Sequence, residues 1–477
     1  MHAAAPTFPP LAYDRMRISA AAFEILACLA VVAVASLAFV AGWLSVNGAV
    51  VLTVLLLISL IVLSWVNLGH GRHPCFLFLC TLTLFQGGRL IAYCLGSFSD
   101  PLQIDLLVGA PFAIPKSVAG TVLLCISLAA ICIYAPCRWN YRYVAPPDVT
   151  RERKYLPYLY FVFYSALPFL IYKNYLYLTY IQAHGGYVVF YTNYGNLAAN
   201  VPLLVRLVAL LPLPVLVMIF VVETKKRFLY PVVFLYLSGS VLFLLTGARM
   251  AFFGTILMLW YLARMKSTRA SRIWHLAVLI AVLVPVAILI NLLRSNEDVN
   301  QLSLLDPVKF IGMQGISLAV TEVAVQHREQ FQPYSLSYLL HEMELEFVAS
   351  DVSTYYRGRQ LGYDVSAFLS PSTFGQGLAT GGAYVAEAYV IGGVFGVVAI
   401  SLLVGIALRF MYLYSGNAEL LVLIGLSFTE VLLMPRGYLL GPASALARSL
   451  VLLLPLFLGW VLYSFLATTI RTSSERV

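Results

Sequence analysis

Apolar runs recur along almost the whole chain, each closed by a short polar or charged stretch. A helix that crosses a bilayer needs about 20 apolar residues, within a range of roughly 17–25. The runs therefore predict an all-α, polytopic membrane bundle of about 12 transmembrane helices, at 20–42, 47–67, 74–96, 115–135, 156–178, 201–222, 228–246, 249–264, 273–293, 382–411, 418–434 and 446–468. Those at 249–264 and 418–434 are short, as half-helices or spans of a thinned bilayer would be. The pattern divides the chain into nine spans over 1–293, one large loop over 294–381, and three spans with a short tail over 382–477. Within the loop, Asp306-Pro307 reads as a helix start with Pro at the first helical position, and apolar residues follow at helical spacing to Val325. A second helix is expected from Ser337 to Ser350. Together they predict a small helical cap on the membrane face.

Composition agrees with this picture. The chain is 61% hydrophobic and 11% charged, against about 25% charged in an ordinary soluble domain. Its net charge of +9 would suggest nucleic acid in a soluble protein, but here much of it sits in loops between spans and calls for no such partner. Arg15 and Arg17, Arg72, the group from Arg138 to Lys154, Lys225 to Arg227, Arg264 to Arg272, and finally Arg471 and Arg476 fall on one side. The opposite loops at 43–46, 97–114 and 179–200 contain no Lys or Arg. Basic loops mark the cytoplasmic side, so both termini are expected in the cytoplasm and the large loop outside. The first run, about 23 residues from Ala20, exceeds the roughly 7–15 of a signal-peptide core and reads as an uncleaved helix.

A second set of cations breaks that bias. Arg89, Lys116, Lys173, Arg206, Arg249, Arg294, Arg436 and Arg448 lie within the helices or at their mouths, nearly all toward the expected outer face. Charges in a membrane are costly and gather at functional sites, and a polyanionic ligand is the simplest common reason. Several of them are interfacial by position: Lys116, Arg206 and Arg448 sit near helix ends, where long side chains snorkel. Others stand in shaped turns. Arg249 closes Thr246-Gly247-Ala248-Arg249, Arg294 ends the ninth span, and Arg436 is bracketed by Pro435 and Gly437. Arginine offers a planar fork of donors that grips phosphate oxygens in pairs. Arg89, Lys173, Arg357 and Arg359 are further candidates for holding a ligand.

Among acids, Glu387 stands out in a glycine-rich stretch that also carries Tyr384. A carboxylate inside a membrane needs a partner, either an arginine or a substrate hydroxyl. Glu430 is similar but lacks a surrounding motif. His327 and His341 lie in the large loop without an evident partner residue. The seven cysteines, all between Cys28 and Cys137, lack metal-ligand spacing and read as small buried hydrophobes. No Asp-x-Asp, HExxH, Walker or Gly-x-Ser-x-Gly pattern appears at a plausible site, so no cofactor or metal is expected and cations would neutralise any leaving group.

The Thr246–Arg249 turn, the Gln314-Gly315-Ile316-Ser317 stretch and the run from Gly375 through Glu387 to Gly396 resemble the Wzy-type O-antigen and surface-polysaccharide repeat-unit polymerases, chiefly from residue 200 onward. That family's Arg-to-Gly spacing of eleven is met by Arg448 and Gly459, inside a helix, and not by Arg249, Arg294 or Arg357. The resemblance implies an inner-membrane glycosyltransferase with its active site on the periplasmic face. It would polymerise repeat units carried on undecaprenyl pyrophosphate, with membrane lipids and a chain-length regulator as further partners. On this reading Arg249, Arg294 and Arg436, with Arg89, clamp the pyrophosphate and Glu387 orients an arginine or the acceptor hydroxyl. Lys173, Tyr384, Arg357 and Arg359 would contact substrate. Two alternatives share the architecture: an O-antigen ligase acting on lipid A core, and a lipid-linked oligosaccharide flippase.

Overall fold

The computed structural model describes residues 10–100, 102, 115–139, 141–184, 189, 194–246, 249–268, 273–295, 306–342, 357–375 and 379–474. Among these the secondary structure is helical, without strands. In chain order the helices are α1 (Pro10–Val40), α2 (Val46–Asn67), α3 (Pro74–Cys94), α4 (Lys116–Arg138), α5 (Leu156–Ala183), α6 (Tyr194–Ala199), α7 (Leu203–Val208), α8 (Pro212–Val222), α9 (Lys226–Leu245) and α10 (Arg249–Lys266). They continue with α11 (Ile273–Ser295), α12 (Asp306–Gln314), α13 (Ser317–Gln326), α14 (Arg328–Phe331), α15 (Ser335–Glu342), α16 (Leu361–Leu369), α17 (Pro371–Gly375), α18 (Tyr384–Tyr414), α19 (Ala418–Leu433) and α20 (Gly441–Ser474).

Ten stretches among the described residues are long and apolar enough to cross a membrane, as befits an integral membrane protein. Nine coincide with expected spans. The tenth, Pro307–Gln326, belongs to the expected loop, while α19 is short at 16 residues and the described apolar part of α11 is confined to Ile280–Leu289. The expected second loop helix begins within α15, and its residues from 343 onward lie outside the described part.

In lipid, helices associate through close packing and polar contacts rather than through apolar burial, which favours small residues at their crossings. The widest crossing, α18 against α4, is of this kind: a Cβ at Gly405 would stand 2.6 Å from the Ile133 carbonyl. The same device seats α12 on α3. A Cβ at Gly88 would lie 2.6 Å from the Ile311 carbonyl, and Gly315 presses on the Arg89 backbone. Thus the first helices of the long segment are wedged beside α3 and α18 rather than merely laid over them.

The long helix α18 is broken near its start. Gly392 (φ −140°) and Gly393 (φ 59°, ψ −147°) leave the helical region, and the left-handed φ at the second is one that glycine adopts without strain. A break strands carbonyls that would have been paired along the helix. Arg328 Nε donates to the Val390 carbonyl at 3.3 Å, so the segment after α13 caps the break.

Cys75, Cys125, Cys132 and Cys137 are buried, as expected for small apolar residues, Cys28 and Cys80 are half-buried, and Cys94 is exposed. Cys75 and Cys137 meet His73 with their ligand atoms within 4.8 Å of one another, a grouping the spacing in sequence concealed. The protein already uses these atoms: His73 Nδ1 accepts the Cys75 N–H at 3.2 Å to cap α3, and Cys137 Sγ donates to the Gly405 carbonyl at 3.3 Å.

Candidate functional site: an arginine turn held by amides

The turn of residues 434–440 between α19 and α20 is where the sequence-expected residues converge. It is knit locally, with Arg436 N donating to the Leu433 carbonyl at 2.8 Å and Gly437 N to the Met434 carbonyl at 3.1 Å. Three other elements then grip it through four bonds. Gln86 of α3 donates from Nε2 to the Pro435 carbonyl at 2.9 Å. Glu387 of α18 accepts the Leu439 N–H at 2.8 Å. Tyr384 N donates to the Met434 carbonyl at 3.3 Å. Tyr438 donates its hydroxyl to Gln360 Oε1 at 2.7 Å. Gly382 permits the approach, since a Cβ there would lie 2.6 Å from the Gly437 carbonyl.

Arg436 projects from this frame. Its Nη1 donates to Gln314 Oε1 at 2.9 Å, and its guanidinium lies 5.7 Å from the Phe85 ring centroid. Gln314 ends α12, so the long segment itself aims the arginine. A neutral amide fixes the direction of a guanidinium without cancelling its charge, unlike a carboxylate.

Gln86 is the hub that sequence reasoning missed. It is fully buried, reaches both Pro435 and the Ser317 carbonyl at 3.4 Å, and accepts the Thr321 hydroxyl at 3.0 Å. The signal was present, because an amide inside an apolar span must find partners there. It stood one turn before Arg89, which drew the attention instead.

The other candidates fall into place around the turn to different degrees. Arg89 is buried three residues beyond Gln86, 5.4 Å from the Phe98 ring centroid, with Glu322 of α13 inside its electrostatic reach. Arg249 opens α10, which runs antiparallel to α19: Gly254 presses on Thr429 and Leu262 on Gly425. Extending that register puts Arg249 level with the 434–440 turn. Its neighbours Gly247 and Ala248 lie outside the described residues, as does the side chain of Arg294 at the end of α11.

Arg357 and Arg359 flank Gly358, whose φ of 84° makes a sharp turn. Asp364, buried and unremarked in the sequence, holds this turn by accepting the Gly358 N–H at 3.0 Å and the Tyr338 hydroxyl at 2.7 Å. Gln360, the next residue, carries the bond to Tyr438, so the two arginine turns are neighbours. Arg357 lies 5.2 Å from the Tyr334 ring centroid.

Two candidates stand apart. Lys173 lies on α5 between the rings of Tyr177 and Phe243, at 5.7 and 5.8 Å, and its described contacts do not include the turn. Tyr384 is fully buried, with its hydroxyl 3.5 Å from Ser401 Oγ and its ring edge-on to Phe78. No face of that ring is open to stack on a sugar, and its backbone N–H is what serves the turn. Glu387, 2% exposed, holds the turn's backbone directly by accepting the Leu439 N–H.

A family model described as O-antigen polysaccharide polymerase Wzy matches residues 23–466. No curated protein and no solved structure matches the chain.

Proposed function

Since the chain belongs to the O-antigen polysaccharide polymerase Wzy family, we propose that it joins undecaprenyl-pyrophosphate-linked repeat units at the periplasmic face of the inner membrane. The growing glycan is the donor, and a hydroxyl of the incoming lipid-linked unit is the acceptor. A new bond forms from that hydroxyl oxygen to the anomeric carbon, the bond from that carbon to the phosphate oxygen breaks with its electron pair, and undecaprenyl pyrophosphate leaves. The developing negative charge on the leaving group must be met by fixed cations in a water-poor site, a contribution commonly worth about 10²–10³ in rate per donor removed.

The observation that carries this reading is Arg436, aimed by Gln314 from a turn that α3 and α18 hold in place. Arg249, level with the turn, is the second cation of the clamp, with Arg89 behind it. Arg294 completes the set by position in the sequence. Purified protein given a defined lipid-linked repeat unit should build polymer. Arg436→Ala and Arg249→Ala, expressed and folded as wild type, should lose that activity by about a hundredfold or more. Full-length polymer from both variants would show that the clamp is elsewhere.

A further inference from the structure

Three glutamates among the described residues sit inside the end of the bundle that carries the arginine turn, and their surroundings differ. Glu322 is 1% exposed and sealed beside Arg89. Glu387 is likewise sealed and spends one oxygen on the Leu439 N–H. Glu430 is half-buried in the last turn of α19, directly before the 434–440 turn. Its backbone carbonyl accepts the Met434 N–H at 3.0 Å, but no hydrogen bond reaches its carboxylate among the described residues. Beside it stands Gly441, where even an added Cβ would be 3.8 Å from Oε2. The charged group in electrostatic reach is Arg448, two turns along α20.

A carboxylate placed in an apolar bundle without a hydrogen-bond donor is costly, and space beside it is left by a glycine. A hydroxyl group fits both facts: it supplies the missing donor and is small enough for the gap. Charge argues against the leaving group as occupant, because a pyrophosphate would be repelled by Glu430. The two roles therefore separate along one turn, with the anion on Arg436 and the hydroxyl on Glu430.

We propose that Glu430 binds the attacking hydroxyl of the acceptor sugar and takes its proton as the new glycosidic bond forms. The proton ends on a carboxylate oxygen while the electron pair of the broken bond leaves with the pyrophosphate. This assignment rests on the polymerase reading for the identity of the acceptor.

The test uses purified full-length wild type, Glu430→Gln, Glu430→Asp and Arg448→Gln. Each is assayed for binding of undecaprenyl pyrophosphate, and for transfer to a lipid-linked repeat unit or to lipid A core. Glu430→Gln should bind undecaprenyl pyrophosphate within about twofold of wild type yet lose transfer by about a hundredfold or more, the usual range for a general base. Glu430→Asp should retain part of the activity, and the acid limb of the wild-type pH profile should vanish in Glu430→Gln. Transfer by Glu430→Gln within a few fold of wild type overturns the proposal. So does a loss of transfer in Arg448→Gln equal to that in Glu430→Gln, since Glu430 would then act as the structural partner of Arg448. Transfer to lipid A core alone, abolished in Glu430→Gln, would refute the polymerase reading and leave Glu430 as the acceptor's carboxylate. A wild type that transfers to neither acceptor overturns both.

Discussion

The two ends of the bundle are both rich in arginine and lysine, but they hold their cations in different ways. At the end where α2 gives way to α3, charge is answered by charge or by backbone carbonyls. Arg138 forms a two-pronged pair with Glu24, at 2.9 and 3.1 Å. Arg72 donates to the Val144 carbonyl at 2.9 Å, and Lys266 to the carbonyls of Phe220 and Glu223 at 2.5 and 2.6 Å. Helix C-termini expose unpaired carbonyls and a partial negative charge, so Lys266 closes the end of α8 and Arg72, which also reaches the Met265 carbonyl at 3.4 Å, closes that of α10. At the other end Arg436 is held by an amide, while the carboxylate of Glu387 is spent on a backbone N–H. One arrangement neutralises charge to build a frame. The other fixes the direction of a cation through an amide, which on the proposed reading aims it at the ligand.

Exchanging comparable substitutions between the ends is the strongest way to break this contrast. Arg436→Gln should lower polymerisation by about a hundredfold or more while the melting temperature stays near wild type. Arg138→Gln should do the reverse, because it leaves Glu24 without its charged partner. The loss of those charge-assisted bonds should cost about 1.5–3 kcal/mol of stability, with activity per folded molecule preserved. Thermal unfolding in detergent alongside the transfer assay reads both. A variant Arg138→Gln that folds as well as wild type but cannot polymerise would dissolve the distinction.

A smaller effect is expected from the residue that holds the turn without touching a ligand. Gln86→Leu removes the bond to the Pro435 carbonyl and leaves the Thr321 hydroxyl without its acceptor. Small misplacements of a catalytic group can cost up to about 10²-fold, and the turn retains its bonds to Glu387, Tyr384 and Gln360. A fall of about tenfold is therefore the expected outcome, expressed in turnover rather than in the Michaelis constant for the lipid donor. Unchanged turnover would show that the turn holds itself.

Much of this organisation was legible in the sequence because membranes impose strong one-dimensional rules. Span length and apolar composition located most helices. What could not be read was long-range pairing. Gln86 and Pro435 are 349 residues apart, and an amide in a span shows that it needs a partner without naming one. The wedge of α12 and α13 escaped for a related reason: the helical spacing to Val325 was legible, but not that Gly88 and Gly315 face each other and seat these helices beside α3. Tyr384, expected to contact substrate from its glycine-rich stretch, packs its ring in the core. Arg72 and Lys266, counted among the orientation signals, serve as helix closures, a use that charge counting along the chain does not distinguish.

The mildest test concerns the frame end and pH. His73 caps α3 through Nδ1, and burial, with a smaller contribution from the Arg409 guanidinium, pushes its imidazole down from 6.5 to about 3. The folded protein thus keeps this ring neutral where the unfolded chain would take up a proton. Because the unfolded state binds more protons below 6.5, the stability present above that pH is lost progressively as pH falls from 6.5 toward 3. Asparagine also caps helix N-termini and does not titrate, so His73→Asn should be slightly less stable at pH 7.5 and lose less on acidification. The gap in melting temperature between the two proteins should narrow between pH 7 and about 5. Parallel curves would mean that His73 is protonated in the folded state, and that this end tolerates one more unanswered cation than its pattern of closed helix ends allows.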